Sequence, residues 1–359
     1  MESIPPRMKA LVAHGPGDYR LQEVDTPRAG PDDLIVRVEA CGICASDLKC
    51  HHGADRFWGG GGPGKDGYVV PPFVPGHEFI GRVAEAGQNM AGAFALGDRV
   101  TSEQIVPCWD CRYCRTGHYW MCRANDVYGF KKHLPGAMAE YVRLPKGSRN
   151  YRVSPDLPIA SAVLVEPYAC AKHAVDRARV TPDDVVVLAG CGCLGLGMAA
   201  YLRLLNPRCL VALDRQDDRL RLAAEFGADV TMNPSRDDVV AKILDMTEGY
   251  GCDVYIEATG HPDAVRQGLD AIRKLGRFVE FSVFGAPASI DWSIIGDMKE
   301  LDVLGAHLGP YCYETVIRLI ESGRLPTQGV VTHQFGLDRW EEAFTAANDA
   351  ARATRVVIG

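Results

Sequence analysis

Val185-Val186-Val187-Leu188-Ala189-Gly190-Cys191-Gly192-Cys193-Leu194-Gly195 joins an apolar, β-branched run to glycines spaced G-x-G-x-x-G. The spacing alone is a weak signal, and its surroundings strengthen it. An apolar segment of helical texture follows and stops at Asn206-Pro207. A second strand-like run, Cys209-Leu210-Val211-Ala212-Leu213, ends at Asp214, nineteen residues beyond Gly195. Strand, glycine turn, helix, strand and acid, in that order, form the arrangement that holds a dinucleotide. Gly190, Gly192 and Gly195 permit a tight turn, close approach of a pyrophosphate, and close packing of helix on strand. The helix beginning at Cys193 and Leu194 supplies unpaired N–H groups and a partial positive charge for the phosphates. Cys191 and Cys193 are small loop residues here, because the phosphate is read by backbone. Asp214 can accept both ribose hydroxyls of NAD and would repel a 2′-phosphate, which favours NAD over NADP; Arg215, next in the chain, softens that preference. The plainer alternative is a glycine-rich turn with no ligand.

Outward from this stretch the pattern continues. A helix pattern from Asp217 to Phe226 is stopped by Gly227. Asp253-Val254-Tyr255-Ile256 reads as a strand, Pro262 to Lys274 as a helix ending near Gly276, and Arg277-Phe278-Val279-Glu280-Phe281 and Leu301-Asp302-Val303-Leu304 as strands. Strands alternating with helices predict a parallel, doubly wound sheet. The first 150 residues or so differ. Short runs such as Leu34-Ile35-Val36-Arg37-Val38-Glu39 and Phe79-Ile80-Gly81-Arg82-Val83 lie among many Pro and Gly, which predicts an irregular all-β region. Residues 53–76 read as a long loop containing Phe57-Trp58-Gly59-Gly60-Gly61-Gly62. The last fifty residues carry helix-like pattern and a short terminal strand, Arg355-Val356-Val357-Ile358.

The chain has 359 residues, so two domains are the natural expectation at roughly 100–200 residues each. Hydrophobic residues at 47% and charged residues at 24% exclude general disorder. A net charge of −7 argues against generic nucleic-acid binding, since phosphate needs cationic contacts. No apolar run approaches the roughly 18 residues of a membrane span. The start, Met1-Glu2-Ser3-Ile4-Pro5-Pro6-Arg7, lacks the apolar core of a secretory signal. A cytoplasmic protein with no membrane partner is expected, in a compartment where structural disulfides are rare. Thirteen cysteines then call for another explanation.

Metal supplies it. Cys108, Cys111, Cys114 and Cys122 fall within fifteen residues, with spacing that lets one loop fold around a tetrahedral Zn²⁺ as a closed, structural site. A looser set lies elsewhere: Cys44 in Cys44-Ala45-Ser46-Asp47, His77 in Gly76-His77-Glu78, and Glu166 before Pro167. Thiolate, imidazole and carboxylate are the zinc ligand types, and an open fourth position would make such a site catalytic. Spacing alone leaves these residues scattered, and a lone histidine is more often structural.

Taken together these motifs resemble the zinc-dependent medium-chain dehydrogenase/reductase family, over nearly the whole chain. Glu166, where liver-type alcohol dehydrogenases carry a cysteine, looks like the polyol branch that includes sorbitol dehydrogenase. Cys44-Ala45-Ser46-Asp47-Leu48-Lys49, the run from Ser102 to Cys108, and Leu301 to Tyr311 look most like bacterial erythritol/L-threitol dehydrogenases. The resemblance implies an α/β protein with a GroES-like β-rich catalytic domain at 1–165 and 306–359 and a Rossmann NAD-binding domain at 166–305. It implies one catalytic and one structural zinc per chain, NAD as cofactor, and a homo-oligomer, tetramer or dimer. By position, Cys44 and His77 would ligate the catalytic zinc. Relatives use either the Glu of the His-Glu pair or the Glu before Pro, so Glu78 and Glu166 both stand as candidates. Asp47 would orient His77, Ser46 would receive the substrate proton, and Arg219 would help hold the adenosine ribose beside Asp214. Many relatives end the proton relay with a His five residues after the zinc cysteine. Here that position is Lys49, so Lys49, His51 or a chain of water completes the relay.

The implied reaction is oxidation of a secondary hydroxyl of a small polyol, with hydride passing to NAD and the site expected in a cleft between the domains. Trp58, Tyr128, Lys49 and His307 are candidates for its wall, each equally open to a packing role. Three rivals remain: a threonine or 2,3-butanediol dehydrogenase of the same family, a non-catalytic NAD binder, and a redox-sensing thiol protein. Ser46 beside Cys44 argues against a pure binder, which has no need of a relay hydroxyl.

Overall fold

The computed structural model describes residues 3–60 and 67–359, so Gly61 and Gly62 of the glycine run lie outside the described residues. The chain divides into two compact units. One comprises Met1–Glu166, Tyr313–Glu321 and Val331–Gly359; the other comprises Pro167–Cys312 and Ser322–Val330.

The second unit carries a six-stranded, wholly parallel sheet. In spatial order its strands are Val230–Met232, Cys209–Leu213, Val185–Ala189, Cys252–Glu257, Ile272–Glu280 and Asp302–Gly305. Every residue of Val185–Ala189 is buried, as a continuous apolar run in a two-faced parallel sheet should be. The chain leaves this strand to build outward on one side, then returns to build on the other. That reversal is the switch point where open α/β sheets bind ligands, at the carboxyl ends of the strands.

Crossover helices Cys193–Leu205, Asp217–Glu225, Val239–Met246 and Pro262–Ala271 end where backbone chemistry ends them. Asn206 takes the left-handed conformation at φ 54°, and Gly227 does so at φ 110°. Pro262 sits in the first turn of its helix, where a missing N–H costs nothing. That helix stops at Ala271, three residues before the expected end, because extended Ile272 already pairs with Cys252 in the sheet. Val187, Val211, Leu213, Ile243, Tyr255 and Phe278 form the centre of the core.

The first unit is β-rich. A seven-stranded sheet runs Val331–Phe335, Arg355–Ile358, Leu34–Gly42, Glu78–Ala86, Arg99–Ser102 and Asn150–Arg152, with Tyr141–Leu144 also pairing to Leu34–Gly42. Arg7–Gly15 and Asp18–Asp25 form a separate hairpin. The all-β expectation needs correction here. Ala45–His51 and Asp55–Trp58 are helical, the second inside the stretch expected as loop. The first is short, and its polar sequence lacks the apolar periodicity that marks a helix. Its start is fixed instead by Asp47 Oδ2, which accepts from the Cys44 backbone N–H at 2.9 Å.

Candidate active site and metal centres

Sheet register assembles the first cluster. Gly42 pairs with Glu78 across antiparallel strands, bringing the turn after Gly42, with Cys44, to the residue pair His77-Glu78. The approach is close: a Cβ on Gly42 would meet Glu78 Oε2 at 2.7 Å. Cys44 Sγ, a His77 ring nitrogen and a Glu78 carboxylate oxygen all lie within 4.8 Å of one another. His77 and Glu78 are buried and Cys44 is half-buried. Glu78 also forms a buried ion pair with Arg355, whose Nη1 donates to the Ile43 carbonyl at 2.6 Å. Asp47 has no exposed surface, and its Oδ1 faces His77 Nδ1 at 3.7 Å.

The charges in this pocket call for a cation. Burial pushes the Cys44 thiol well above its usual range, Glu78 and Asp47 push it further, and only Arg355 opposes them. Burial likewise raises Asp47, against the pull of His77. His77 Nε2 stands 4.0 Å from Glu78 Oε1, too far for a hydrogen bond. Soft sulfur, imidazole and carboxylate in one buried, anion-rich pocket fit Zn²⁺.

Glu166 is not in this cluster. It is buried in the same unit, and its Oε1 accepts from Gln104 Nε2. Ser46 and Lys49 sit half-buried on the helix that begins after Cys44. His51 is packed among Tyr19, Trp340 and Phe344, with its pKa lowered by burial.

The four thiols of the second set also lie within 4.8 Å of one another. Cys111 and Cys114 sulfurs are 3.6 Å apart and Cys108 and Cys114 sulfurs 4.0 Å, far beyond a disulfide bond of about 2.05 Å. Tetrahedral Zn–S bonds of about 2.3 Å place sulfurs about 3.8 Å apart. Backbone N–H groups already face the sulfurs: Cys108 N–H donates to Cys122 and Cys111 N–H to Cys108, each at 3.3 Å. The N–H groups of Arg123 and Cys114 draw the Cys111 thiol down to about 6, so a thiolate is the favoured form there. Burial drives Cys114 the other way, to about 12. A cation among them settles the opposed demands.

In the parallel-sheet unit each glycine of the turn has its own reason. Gly190 takes φ 100°, and a Cβ there would strike the Ala258 carbonyl. A Cβ on Gly195 would lie 1.9 Å from the Gly190 carbonyl oxygen, so helix and strand could not close together. Gly192 meets nothing nearer than Arg219 at 3.9 Å, which leaves room for a ligand to approach its backbone. Gly192 caps the helix Cys193–Leu205, with Leu194 half-buried in its first turn. Asp214 follows the second strand and clamps the turn: its carboxylate accepts from the N–H of Cys191 at 2.8 Å and of Gln216 at 2.9 Å. Arg219 stands 4.0 Å from the same carboxylate, while Arg215 is exposed.

The remaining candidates separate. Trp58 spends its indole N–H on the Cys50 carbonyl at 2.7 Å. Tyr128 is fully buried, edge-on to Phe79, which favours the packing role left open for it. His307 is half-buried in the parallel-sheet unit. Sequence reasoning missed Arg355 and Gln104. Neither carries a motif, and their partners lie 277 and 62 positions away.

Residues 30–154 match the alcohol dehydrogenase GroES-like domain, and residues 193–322 match the zinc-binding dehydrogenase domain. An erythritol/L-threitol dehydrogenase of Mycolicibacterium smegmatis is 50% identical over 99% of this chain and 98% of its own length. An L-threonine 3-dehydrogenase of Pyrococcus abyssi is 34% identical over 94% of this chain and 93% of its own. The crystal structure of a zinc-binding dehydrogenase from Sinorhizobium meliloti, bound to NADP, superposes with a TM-score of 0.88 at 30% identity, covering 98% of this chain and 99% of that one. The chain belongs to the family of zinc-dependent alcohol dehydrogenases, with a GroES-like domain and a doubly wound nucleotide-binding domain, and it is a dehydrogenase.

Proposed function

We propose that this chain oxidises a secondary hydroxyl of a four-carbon polyol of the erythritol or L-threitol kind, using NAD and two zinc ions per chain, one catalytic and one structural. The observation that carries the reading is the compact Cys44–His77–Glu78 set in a chain half identical, end to end, to an erythritol/L-threitol dehydrogenase. When bound, zinc supplies Lewis acidity toward the substrate hydroxyl and NAD accepts the hydride.

The chain's own residues do the rest. Cys44, His77 and Glu78 hold the metal, with Glu166 as the alternative carboxylate, and Asp47 keeps the His77 ring in place. Ser46, two residues on from Cys44, takes the hydroxyl proton, and Lys49 or water passes it outward. Cys108, Cys111, Cys114 and Cys122 hold the structural ion. Gly190, Gly192, Gly195 and the helix start at Cys193 and Leu194 receive the pyrophosphate, and Asp214 with Arg219 receives the adenosine ribose. A vicinal hydroxyl near the metal would orient the reacting carbon, a positional gain that simple monoalcohols lack. Trp58 and His307 remain candidates for the substrate wall. We place the protein in the reducing cytoplasm as a homo-oligomer, tetramer or dimer, with no nucleic-acid or membrane partner. A chain with thirteen cysteines suits a compartment in which structural disulfides are rare.

Steady-state kinetics with NAD and NADP on erythritol, both threitols, sorbitol, 2,3-butanediol, L-threonine and ethanol test the reading. A tetritol should give the highest kcat/KM, with NAD preferred by tenfold or more because the Asp214 carboxylate repels a 2′-phosphate. Highest kcat/KM on L-threonine or ethanol would sink the substrate assignment. Equal use of NADP would sink the role of Asp214 and point to Arg215.

A further inference from the structure

The turn that carries Asp214 is also held by a buried amide from the next strand. Met232 pairs with Leu213 in the parallel sheet, and the Asp214 N–H donates to the Met232 carbonyl at 3.3 Å. Asn233 follows directly and is 4% exposed. Its Nδ2 donates to the Arg215 carbonyl and to Asp217 Oδ1, each at 3.1 Å, and its Oδ1 accepts from the Ser235 N–H at 3.0 Å. Turned over, the amide would set its oxygen against a carbonyl and a carboxylate, so its orientation is fixed. The Arg215 carbonyl and the Gln216 N–H belong to one planar peptide unit. Asn233 holds the carbonyl of that unit, and Asp214 Oδ1 accepts from its N–H at 2.9 Å. Asp217 is held in turn by Arg236, at 2.8 and 2.9 Å.

We propose that Asn233 is a positioning residue for cofactor choice. By holding the Arg215–Gln216 peptide it keeps the Asp214 carboxylate in place at the ribose and fixes the point from which the Arg215 side chain leaves the turn, and so sustains the preference for NAD over NADP. Without the amide the peptide is free to rotate and the Gln216 N–H leaves Asp214. The carboxylate that repels a 2′-phosphate then loses its placement, while the exposed Arg215 cation that attracts one remains. A recognition group must be held to about 0.5 Å, which hydrogen bonds from the residues behind it provide. The proposal rests on the reading of Asp214 as the ribose carboxylate.

The test uses the full-length protein and compares wild type with Asn233→Ala, Asn233→Ser, Asp214→Ser and the Asp214→Ser/Asn233→Ala pair. Two readouts apply: the Kd for NADH and for NADPH from nicotinamide fluorescence, and the melting temperature without cofactor, which shows that each variant is folded. Asn233→Ala should raise the Kd for NADH at least sixfold and that for NADPH no more than twofold, so that the preference for NADH falls at least threefold. Asn233→Ser keeps an oxygen able to accept from the Ser235 N–H but too short to reach the Arg215 carbonyl. It should shift the preference the same way, and it carries the test if Asn233→Ala fails to fold. In the Asp214→Ser background the Asn233 substitution should lower the preference further by less than threefold. A fall of less than threefold in the folded Asn233 variants, equal weakening of both cofactors included, would overturn the positioning role. So would a fall of threefold or more on adding Asn233→Ala to Asp214→Ser. A preference unmoved by Asp214→Ser alone would instead overturn the ribose reading beneath it.

Discussion

Arg355→Met isolates what the chain's last strand does for the metal pocket. Arg355 is 7% exposed and Glu78 is 2% exposed, and the two form an ion pair. The same guanidinium donates to the Ile43 carbonyl at 2.6 Å, one residue before Cys44. Methionine fills similar volume but leaves a buried carboxylate without its cation and a backbone carbonyl without its donor. Removing one partner of a buried pair costs about 3–5 kcal/mol, more than the net worth of the pair. At roughly 2–4 °C per kcal/mol for a unit of this size, the melting temperature should fall by roughly 6–20 °C. A divalent cation held by Cys44, His77 and Glu78 would replace part of the lost charge, so the fall should be larger after chelation than in the zinc-loaded protein. Adding Glu78→Gln to Arg355→Met removes the orphaned charge and should recover a third or more of the lost stability. Differential scanning calorimetry on wild type, Arg355→Met and the double variant, with and without chelator, decides it. A fall under about 1 kcal/mol, or no recovery in the double variant, would refute the account of Arg355 as the buried counter-charge.

Cys111→Ser and Cys44→Ser should fail differently. The first should lower the melting temperature to about that of chelated wild type, since a closed site contributes folding energy; the second should melt near wild type with turnover reduced a hundredfold or more. Near-wild-type turnover in folded Cys44→Ser would remove Cys44 from the catalytic site. Acid sensitivity should map in part to His173. Burial first, and then Arg177, His307 and Lys172, hold its pKa down to about 4, while Asp176 opposes them. The unfolded chain therefore takes up this proton first, near pH 6.5. Stability from His173 is complete above that pH and is lost as pH falls toward 4, by up to about 3 kcal/mol. Urea midpoints from pH 7 to pH 4.5 should converge for wild type and His173→Gln at low pH; parallel curves would show that His173 is not the group titrating.

What could be read from the sequence was what is local. The nucleotide turn puts strand, glycines, helix and acid within thirty residues, and Gly190 and Gly195 have a backbone reason for their identity. The four cysteines close on one loop, so their spacing carried the geometry. The Cys44–His77–Glu78 set was readable only as residue types. Cys44 and His77 are joined by sheet register, and no periodicity announces that Gly42 pairs with Glu78. The short helix that starts after Cys44 was missed because a side-chain cap, not apolar spacing, defines it.

Two carboxylates of the same type competed for one role in the sequence, and each is held by a distant residue. Glu78 is fixed by an arginine 277 positions away in the terminal strand. Glu166 is fixed by a glutamine 62 positions away, itself fixed by a tyrosine 209 positions further on. One carboxylate faces a cation and the sulfur–imidazole pair, and the other faces an amide. The ligand question therefore lives on the long-range packing of the β-rich unit, where a single chain read along its length has no local signal to offer.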